Sequence, residues 1–198
     1  MSIILQKFEL SKTTPSDINE HLDVIYDLSK QCDFIVEMGV RWVVSTWAML
    51  AARPRKMISY DISYHDMSKI QEAVSVATSE GIDYQFILSD VLQVDIEKCD
   101  LLFIDTLHTY LQLKQELEKH AKNVKKYIVL HDTETYGFVD ETVYQHASPM
   151  SKVAAKKSGL KNAISDFLES DEGKSWHIKS SYTNNNGLTV LERVNGTP

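Results

Sequence analysis

Cysteine is scarce in this sequence of 198 residues: only Cys32 and Cys99 are present, and neither belongs to a Cys-x-x-Cys pair or to a zinc-site spacing. So few cysteines argue against a disulfide-stapled scaffold and against a cysteine-ligated metal domain. Each cysteine lies just before an apolar run, so we expect two reduced, semi-buried thiols, with a disulfide between them as the alternative.

Long apolar runs are also missing. No segment approaches the roughly 18 apolar residues of a membrane-spanning helix. The apolar stretch within residues 1–10 is too short for a signal peptide and is accompanied by Glu9. The net charge of −7 argues against affinity based on neutralising phosphates, since such proteins usually present a basic face. We therefore expect a cytoplasmic protein that binds neither membranes nor nucleic acid.

The composition is that of an ordinary globular protein, with 43% hydrophobic and 25% charged residues. The length suits one domain and is short for two, which predicts a single domain over residues 1–198. Within it, we expect an N-terminal helical segment over residues 1–31, whose first helix opens at Thr14-Pro15. Residues 133–159 are long and weakly periodic, which is typical of a lid or substrate loop.

Five short apolar runs alternate with helix-like patterns along the chain. The runs cover residues 34–38, 57–60, 84–88, 101–104 and 127–130. Solidly apolar strands separated by helices predict an α/β fold with a Rossmann-like, doubly wound, mostly parallel sheet that is buried on both faces. The alternating segments 176–181 and 188–193 flank a strong turn signal, and they predict an antiparallel hairpin at the end of the sheet.

Acidic residues or histidines follow each of the five predicted strands. Ligands of doubly wound sheets bind beyond the carboxyl ends of the strands, so these positions are candidates for a site: Glu37, Asp61, Asp90, Asp105, His108, His131 and Asp132. Aspartate is also a common turn residue and helix cap. Taken singly, the acids are therefore weak evidence, and their combination carries more.

The stretch after the first strand reads Val-Glu-Met-Gly-Val-Arg-Trp-Val-Val-Ser-Thr over residues 36–46. It resembles the first motif of class I S-adenosylmethionine (SAM)-dependent methyltransferases, Glu/Asp-x-Gly-x-x-x-Gly-x-Ser/Thr. In that family the acid after the second strand holds the ribose hydroxyls, and the acid after the third meets the adenine amine. The resemblance implies SAM as cofactor and a binding site made of five residues: Glu37, Gly39, Ser45, Asp61 and Asp90.

One position departs from that motif, because Val43 stands where the family has its second glycine. A β-branched residue is poorly suited to positive φ and would push a close ligand away. Three expectations follow: the loop takes a different path, the affinity for the cofactor is reduced, or the cofactor site has decayed.

Two further stretches read Phe-Ile-Asp-Thr-Leu-His-Thr-Tyr and Tyr-Ile-Val-Leu-His-Asp-Thr, at the ends of the fourth and fifth strands. They resemble the metal-dependent sugar O-methyltransferases of macrolide biosynthesis and the cephalosporin hydroxylase-like proteins. That resemblance implies Asp105 and Asp132 as magnesium ligands and His108 as the base. His131 falls where that family often has a carboxylate, and an imidazole ligand would favour manganese, iron or zinc.

Plain structural roles stay open for these residues. Asp132 is alternatively a helix cap and His108 a packing residue, and His131 is alternatively a residue that supports a metal ligand or a hydrogen-bonded turn residue. Two other histidines, His21 and His120, are expected on helix surfaces. In the long loop, four residues are candidates for the wall of a substrate pocket: Tyr136, Phe138, Tyr144 and His146.

The chemistry of methyl transfer fits these groups. Transfer from a sulfonium to a hydroxyl requires alignment of the partners and removal of the hydroxyl proton. A divalent cation lowers the pKa of the hydroxyl, and an imidazole accepts the proton near neutral pH. The leading hypothesis is a SAM-dependent O-methyltransferase that acts, with a divalent metal, on a small hydroxylated, sugar-like molecule.

Three other functions are alternatives. A nicotinamide-dependent oxidoreductase is disfavoured because Gly-x-Gly-x-x-Gly is absent. A non-catalytic relative that binds a nucleoside, a sugar or a protein partner is supported by Val43. A metal-dependent hydrolase would use the strand-end groups without an adenosyl cofactor. The apolar stretch Ile3-Ile4-Leu5 either packs on a second copy in a homo-oligomer or covers this chain's own sheet.

Overall fold

The structure, a computed structural model, describes residues 2–142 and 156–194. Its strands are β1 (Phe34–Met38), β2 (Lys56–Asp61), β3 (Asp83–Leu88), β4 (Cys99–Ile104), β5 (Val124–His131), β6 (Trp176–Tyr182) and β7 (Leu188–Arg193). They form one sheet in the order β3-β2-β1-β4-β5-β7-β6. The first five strands pair in parallel, and β7 pairs antiparallel with β5 and β6. The predicted doubly wound sheet with its terminal hairpin is confirmed.

Helices cover both faces of this sheet. They are α1 (Ile3–Thr13), α2 (Leu22–Ser29), α3 (Val44–Ala51), α4 (Met67–Ser79), α5 (Tyr110–His120) and α6 (Leu160–Glu169). One hydrophobic core packs the four helices α1, α2, α3 and α4 against one face of the sheet. A second core packs α5 and α6 against the opposite face. In β1, Ile35 belongs to the first core, and Val36 to the second. This alternation explains why the central strands carry apolar residues on both faces.

The register of the parallel strands brings their carboxyl ends to one level. Met38 is paired with Tyr60 of β2 and with Ile104 of β4, and Ile104 is paired with Leu130 of β5. The residues that follow these strands therefore lie side by side at one edge of the sheet, where the sequence predicted a site.

The N-terminal segment is helical, but the predicted position of its first helix is wrong. The helix α1 begins after Ser2, whose side chain caps it, and ends at Thr13, with Thr14 as the C-terminal cap. Pro15 follows a helix end instead of opening a helix, a position that proline also favours. The next α-helix begins only at Leu22. Within the apolar stretch near the N-terminus, Ile4 is fully buried in the core of its own chain.

Two histidines that we expected on helix surfaces are buried. His21 and His120 are each about 1% exposed, and Nε2 of each ring lies 2.9 Å from a backbone carbonyl oxygen. Burial lowers the pKa of both rings, to about 4 for His120. Both therefore serve the core as neutral, hydrogen-bonded groups. Cys32 and Cys99 are unpaired and buried, which confirms the reduced thiols.

Asp140 joins the N-terminal ends of α5 and α6. Its Oδ1 accepts hydrogen bonds from the backbone N–H groups of Tyr110 and Gly159, both at 2.7 Å. Beside this clamp, the N–H of Leu160 donates to the carbonyl oxygen of Tyr136 at 2.8 Å. The described ends of the expected lid, residues 133–142 and 156–159, are thus tied to the body of the fold.

The expected lid is described only in part. Residues 143–155 lie outside the described ranges, and so do the candidates Tyr144 and His146. Among the residues that are described, no helix combines the length and the apolar character needed to cross a membrane.

Candidate functional site

A cavity of about 640 Å³ opens at the carboxyl ends of the parallel strands. Its wall includes six of the residues predicted from the sequence: Gly39, Asp61, Asp90, Asp105, His108 and Asp132. The three others lie behind this wall: Glu37, Ser45 and His131. The structure thus brings the cofactor half and the metal half of the predicted site to a single cavity.

Gly39 occupies the point where β1 passes into the loop that leads to α3. Its φ is +86°, and a Cβ built on it would lie 1.8 Å from the carbonyl oxygen of Asp105. The left-handed backbone favours glycine, and the close approach leaves no space for a side chain. Gly39 therefore sets how closely this loop approaches the end of β4.

Val43 adopts φ 67° and ψ 23°, the left-handed conformation that favours glycine, immediately before α3. Its side chain is fully buried in the first core and is not part of the cavity wall. The left-handed backbone costs roughly 1–2 kcal/mol, and burial of a valine side chain offsets about as much. The expectation that Val43 pushes a ligand away is therefore wrong, because its side chain points into the core.

Glu37 is fully buried beneath this loop. Its carboxylate accepts hydrogen bonds from the hydroxyls of Ser45 at 2.7 Å, Thr46 at 2.9 Å and Ser59 at 2.5 Å. Burial raises the pKa of Glu37 to about 7, although these three donors act in the opposite direction. Glu37 and Ser45 therefore join β1, β2 and α3 to one another, and a role in cofactor binding would pass through the loop they support.

Asp61 shapes the same loop from the cavity side. Its Oδ2 accepts from the backbone N–H groups of Val40 at 2.9 Å and Arg41 at 3.1 Å, and its Oδ1 accepts from that of Ser63 at 3.0 Å. A carboxylate has roughly four acceptor positions, so Asp61 keeps capacity for a hydroxyl of a ligand. Asp90, beyond β3, accepts one backbone hydrogen bond at Oδ1 and lines the neighbouring part of the cavity.

Asp105, His131 and Asp132 converge at the ends of β4 and β5. One potential ligand atom from each lies within 4.8 Å of the others. Nδ1 of His131 is 3.4 Å from Oδ1 of Asp105 and 3.4 Å from Oδ2 of Asp132. Asp132 has φ +58°, a backbone conformation that aspartate adopts more readily than most residues. The arrangement is a candidate metal centre.

The second ring nitrogen fixes the orientation of His131. Its Nε2 lies 3.1 Å from the carbonyl oxygen of Asp17 and 3.2 Å from that of Asn185. Both partners are acceptors, so Nε2 carries a proton, and Nδ1 is the ring nitrogen that faces the two carboxylates. Within the described chain, Nδ1 of His131 and Oδ1 of Asp132 are buried without a hydrogen-bond partner. Two such orphaned acceptors fit a bound cation.

The charges at this centre depend on one another. Burial disfavours the charged form of His131, but the carboxylates of Asp105 and Asp132 outweigh it and raise the pKa of the ring to about 10. Burial likewise opposes ionisation of Asp132, yet the hydrogen bond from His108 and the charge of the nearby His131 ring hold its pKa at about 2. Without a metal ion, protonated histidines therefore neutralise the carboxylates.

His108 lies among three carboxylates. Its Nε2 is 3.1 Å from Oδ1 of Asp105 and 2.9 Å from Oδ2 of Asp132, and its Nδ1 is 2.9 Å from Oε2 of Glu141. Burial would lower the pKa of His108, but these hydrogen bonds hold it well above 6.5. The ring stacks on Tyr136 with centroids 5.0 Å apart and planes 2° from parallel. His108 is thus held as an imidazolium that bridges the carboxylates.

The sequence did not identify two residues of this site. Glu141 contacts both the ring and the backbone N–H of His108. The only sequence feature that could have identified it is that it is an acidic residue in the long loop after the fifth strand. Asp17 supplies the carbonyl that orients His131, and its carboxylate pairs with Arg41 at 2.8 Å. No motif or strand end marks Asp17 in the sequence.

Glu116 is a further buried carboxyl beside the site. Its Oε1 accepts from the hydroxyl of Thr106 at 2.6 Å and from Nε2 of Gln112 at 2.7 Å, while its buried Oε2 has no hydrogen-bond partner within the described residues. Both donors also line the cavity. Burial raises the pKa of Glu116 to about 7, although both hydrogen bonds oppose the change.

We expect Glu116→Gln to stabilise the protein at alkaline pH. A carboxyl whose pKa is raised on folding contributes stability below its unfolded pKa of about 4.3 and loses it as the pH rises through about 7. The free energy of unfolding of the variant, relative to that of the unchanged protein, should therefore rise by on the order of 1–3 kcal/mol from pH 5 to pH 8.5. Urea unfolding at both pH values measures this difference, and Glu118→Gln on the exposed side of α5 is the control. Equal differences at both pH values would contradict the assignment.

The sequence and the structure of this chain were compared with those of known proteins. No protein-family model matches the chain, and no curated protein matches its sequence. Solved structures do match. The O-methyltransferase TomG of Streptomyces achromogenes, in complex with SAM, superposes with a TM-score of 0.63 at 10% identity, over 98% of this chain and 91% of TomG.

Two other solved structures give the same result. The SAH-bound methyltransferase PaMTH1 of Podospora anserina has a TM-score of 0.60 at 13% identity, over 96% of this chain and 87% of its own. A provisionally assigned caffeoyl-CoA O-methyltransferase of Staphylococcus aureus has a TM-score of 0.63 at 16% identity, over 98% and 93%. At such low identities the likeness shows the shared fold: this chain has the Rossmann-like fold of the class I O-methyltransferases.

Proposed function

We propose that this protein is a SAM-dependent O-methyltransferase that acts on a small hydroxylated, sugar-like molecule with the help of a divalent metal ion. The observation that carries the proposal is the convergence of Asp105, His131 and Asp132 at the wall of the cavity, with two buried acceptor atoms that lack partners. Methyltransferases of the same fold, two of them solved with SAM or SAH, support the donor.

The ligand set favours a divalent ion of intermediate hardness. Two carboxylates suit magnesium or manganese, and the lone pair on Nδ1 of His131 shifts the preference towards manganese, iron or zinc. A metal ion held there would polarise a hydroxyl of the acceptor and lower its pKa. Asp105, His131 and Asp132 would hold it, and the backbone carbonyls of Asp17 and Asn185 would keep His131 in the right tautomer.

The donor side of the cavity is built from the loop after β1 and from the ends of β2 and β3. In the proposed complex, Asp61 accepts from ribose hydroxyls, Asp90 meets the adenine amine, and Gly39 lets the backbone approach the donor. Glu37 and Ser45 support the loop from below. The donor supplies an activated methyl group, so the task of these residues is alignment.

His108 is the proposed base. In the arrangement seen, its Nε2 proton is shared between Asp105 and Asp132, so the ring cannot accept another proton there. With a cation held by Asp105 and Asp132, His108 would keep Glu141 as its partner at Nδ1, and its Nε2 would be free to accept the hydroxyl proton. Glu141 then orients the ring and stabilises the imidazolium that forms, as the third group of a catalytic triad does.

Replacing Glu141 by glutamine should lower kcat by about 10- to 100-fold and leave KM for the donor unchanged, because within the described chain the carboxylate of Glu141 is hydrogen-bonded to His108 and not to the residues of the donor side. The acid limb of the pH profile should shift to lower pH, because the pKa of His108 falls when a carboxylate is removed. Steady-state rates between pH 6 and 9 provide the test once an acceptor is known. Glu134→Gln, which removes a charge paired with Lys161 outside the cavity wall, is the control. An unchanged pH profile would argue against this role.

Calorimetric titration tests the proposal as a whole. The protein is titrated with SAM and with S-adenosylhomocysteine, each in the presence of magnesium, manganese or a chelator. Saturable donor binding, strengthened by metal, is the expected result. Metal binding without donor binding would contradict the proposal and favour the metal-dependent hydrolase. A folded protein that binds neither would be a non-catalytic relative.

A further inference from the structure

We infer that the acceptor of the proposed reaction carries a positive charge: it is a hydroxylated amine, such as an aminated sugar or an aminated diol. This inference rests on the proposed function and adds the charge class of the substrate. It comes from the balance of charges on the cavity wall.

Six carboxylates line the described wall of the cavity: Asp17, Asp61, Asp90, Asp105, Asp132 and Glu141. Arg41 is the only lysine or arginine on that wall within the described residues, and it already pairs with Asp17 at 2.8 Å. The cavity is therefore strongly negative, although the charges at its rim are screened by solvent.

The inner part of the cavity is shielded from solvent. The side chains of Asp61 and Asp132 are 7% exposed and that of Glu141 is 18% exposed. Oδ1 of Asp132 has no hydrogen-bond partner among the described residues. Charges in such surroundings act more strongly on a ligand than charges in open water.

The proposed donor and metal ion do not remove this excess. A divalent ion contributes two positive charges, SAM a net charge of one, and Arg41 one more. If His108 is counted as protonated and His65, the other histidine on the described wall, as neutral, the six carboxylates still exceed the positive charges by one. A positively charged acceptor completes the balance, whereas a phosphorylated or carboxylated acceptor increases the excess.

The experiment compares ligands of similar size that carry a positive charge, no charge or a negative charge. The protein is loaded with S-adenosylhomocysteine and magnesium, and binding is measured by calorimetry for glucosamine, glucose and glucuronate. A second set, dopamine, 4-methylcatechol and 3,4-dihydroxyphenylacetate, tests a different scaffold. In every set whose amine shows saturable binding, the amine should bind at least about tenfold more tightly than the acid, and added salt should reduce this ratio.

A pair of variants connects the preference to the cavity. Asp17→Asn removes an exposed wall charge and frees Arg41, and it should reduce the ratio of amine to acid affinity by about three- to fivefold. Asp27→Asn removes a similarly exposed charge from α2, outside the wall, and should leave the ratio unchanged. An acid that binds as tightly as its amine, or the lack of saturable binding by either amine, overturns the inference.

The donor titration is made first, so that a failure of the methyltransferase proposal can be distinguished from a failure of the inference about the charge of the acceptor. If S-adenosylhomocysteine does not bind, the methyltransferase proposal fails. If it binds and the acidic ligands are preferred, only the charge class of the acceptor is wrong.

Discussion

Asp132→Asn should weaken divalent-ion binding at least about 100-fold, since changes to groups that merely support a metal ligand already cost about 10- to 100-fold. Asparagine keeps the shape of the side chain and tolerates the φ of +58° at this position. The variant therefore removes the charge without adding backbone strain. Methyl transfer should fall by a similar factor, because the acceptor hydroxyl loses the ion that lowers its pKa.

Calorimetric titration with manganese measures this effect. Asp83→Asn is the matched control: Asp83 is exposed at the amino end of β3, at the opposite edge from the cavity. Thermal unfolding without metal verifies that both variants are folded. Normal manganese binding by Asp132→Asn would show that the ion binds at another site.

Gly39→Ala should destabilise the protein by on the order of 3–5 kcal/mol, close to the largest effects seen for single substitutions. The new Cβ would lie 1.8 Å from the carbonyl oxygen of Asp105, so either the loop or the end of β4 must move. The positive φ adds about 1 kcal/mol. Since Asp105 follows β4 directly, the same displacement should weaken metal binding.

Gly81→Ala separates the two contributions. Gly81 has nearly the same φ, +81°, but a Cβ there meets no atom within 4 Å. We expect it to lose only about 1 kcal/mol, the cost of the left-handed backbone. Urea denaturation of both variants gives the difference, which is the cost of the overlap with Asp105. Equal losses in the two variants would contradict this account of Gly39.

The central sheet could be predicted because its strands are buried on both faces. Runs such as Phe34–Met38 are apolar apart from Glu37 and end at a glycine, so both the strand and its turn are local signals. The first helix was misplaced for an equally local reason. Thr14-Pro15 has the sequence of a helix start, but the apolar face of the preceding residues packs on the core and makes them the helix.

The site could be predicted where it depends on strand ends, and not where it depends on loops. Asp105 and Asp132 follow β4 and β5, and the parallel register alone brings them together. Glu141 and Asp17 reach His108 and His131 through irregular segments, whose paths are set by tertiary contacts rather than by periodicity. The acidic excess of the cavity became visible only with these two residues in place.

The Asp140 clamp separates the strand-end residues from changes in the length of the segment between residues 142 and 156. Because one carboxylate oxygen holds both Tyr110 and Gly159, the segment between residues 142 and 156 starts and ends at fixed points. The entropy of closing a loop between fixed ends changes slowly with its length. Exchange of that segment for a shorter or longer one should therefore leave the strand-end residues undisturbed.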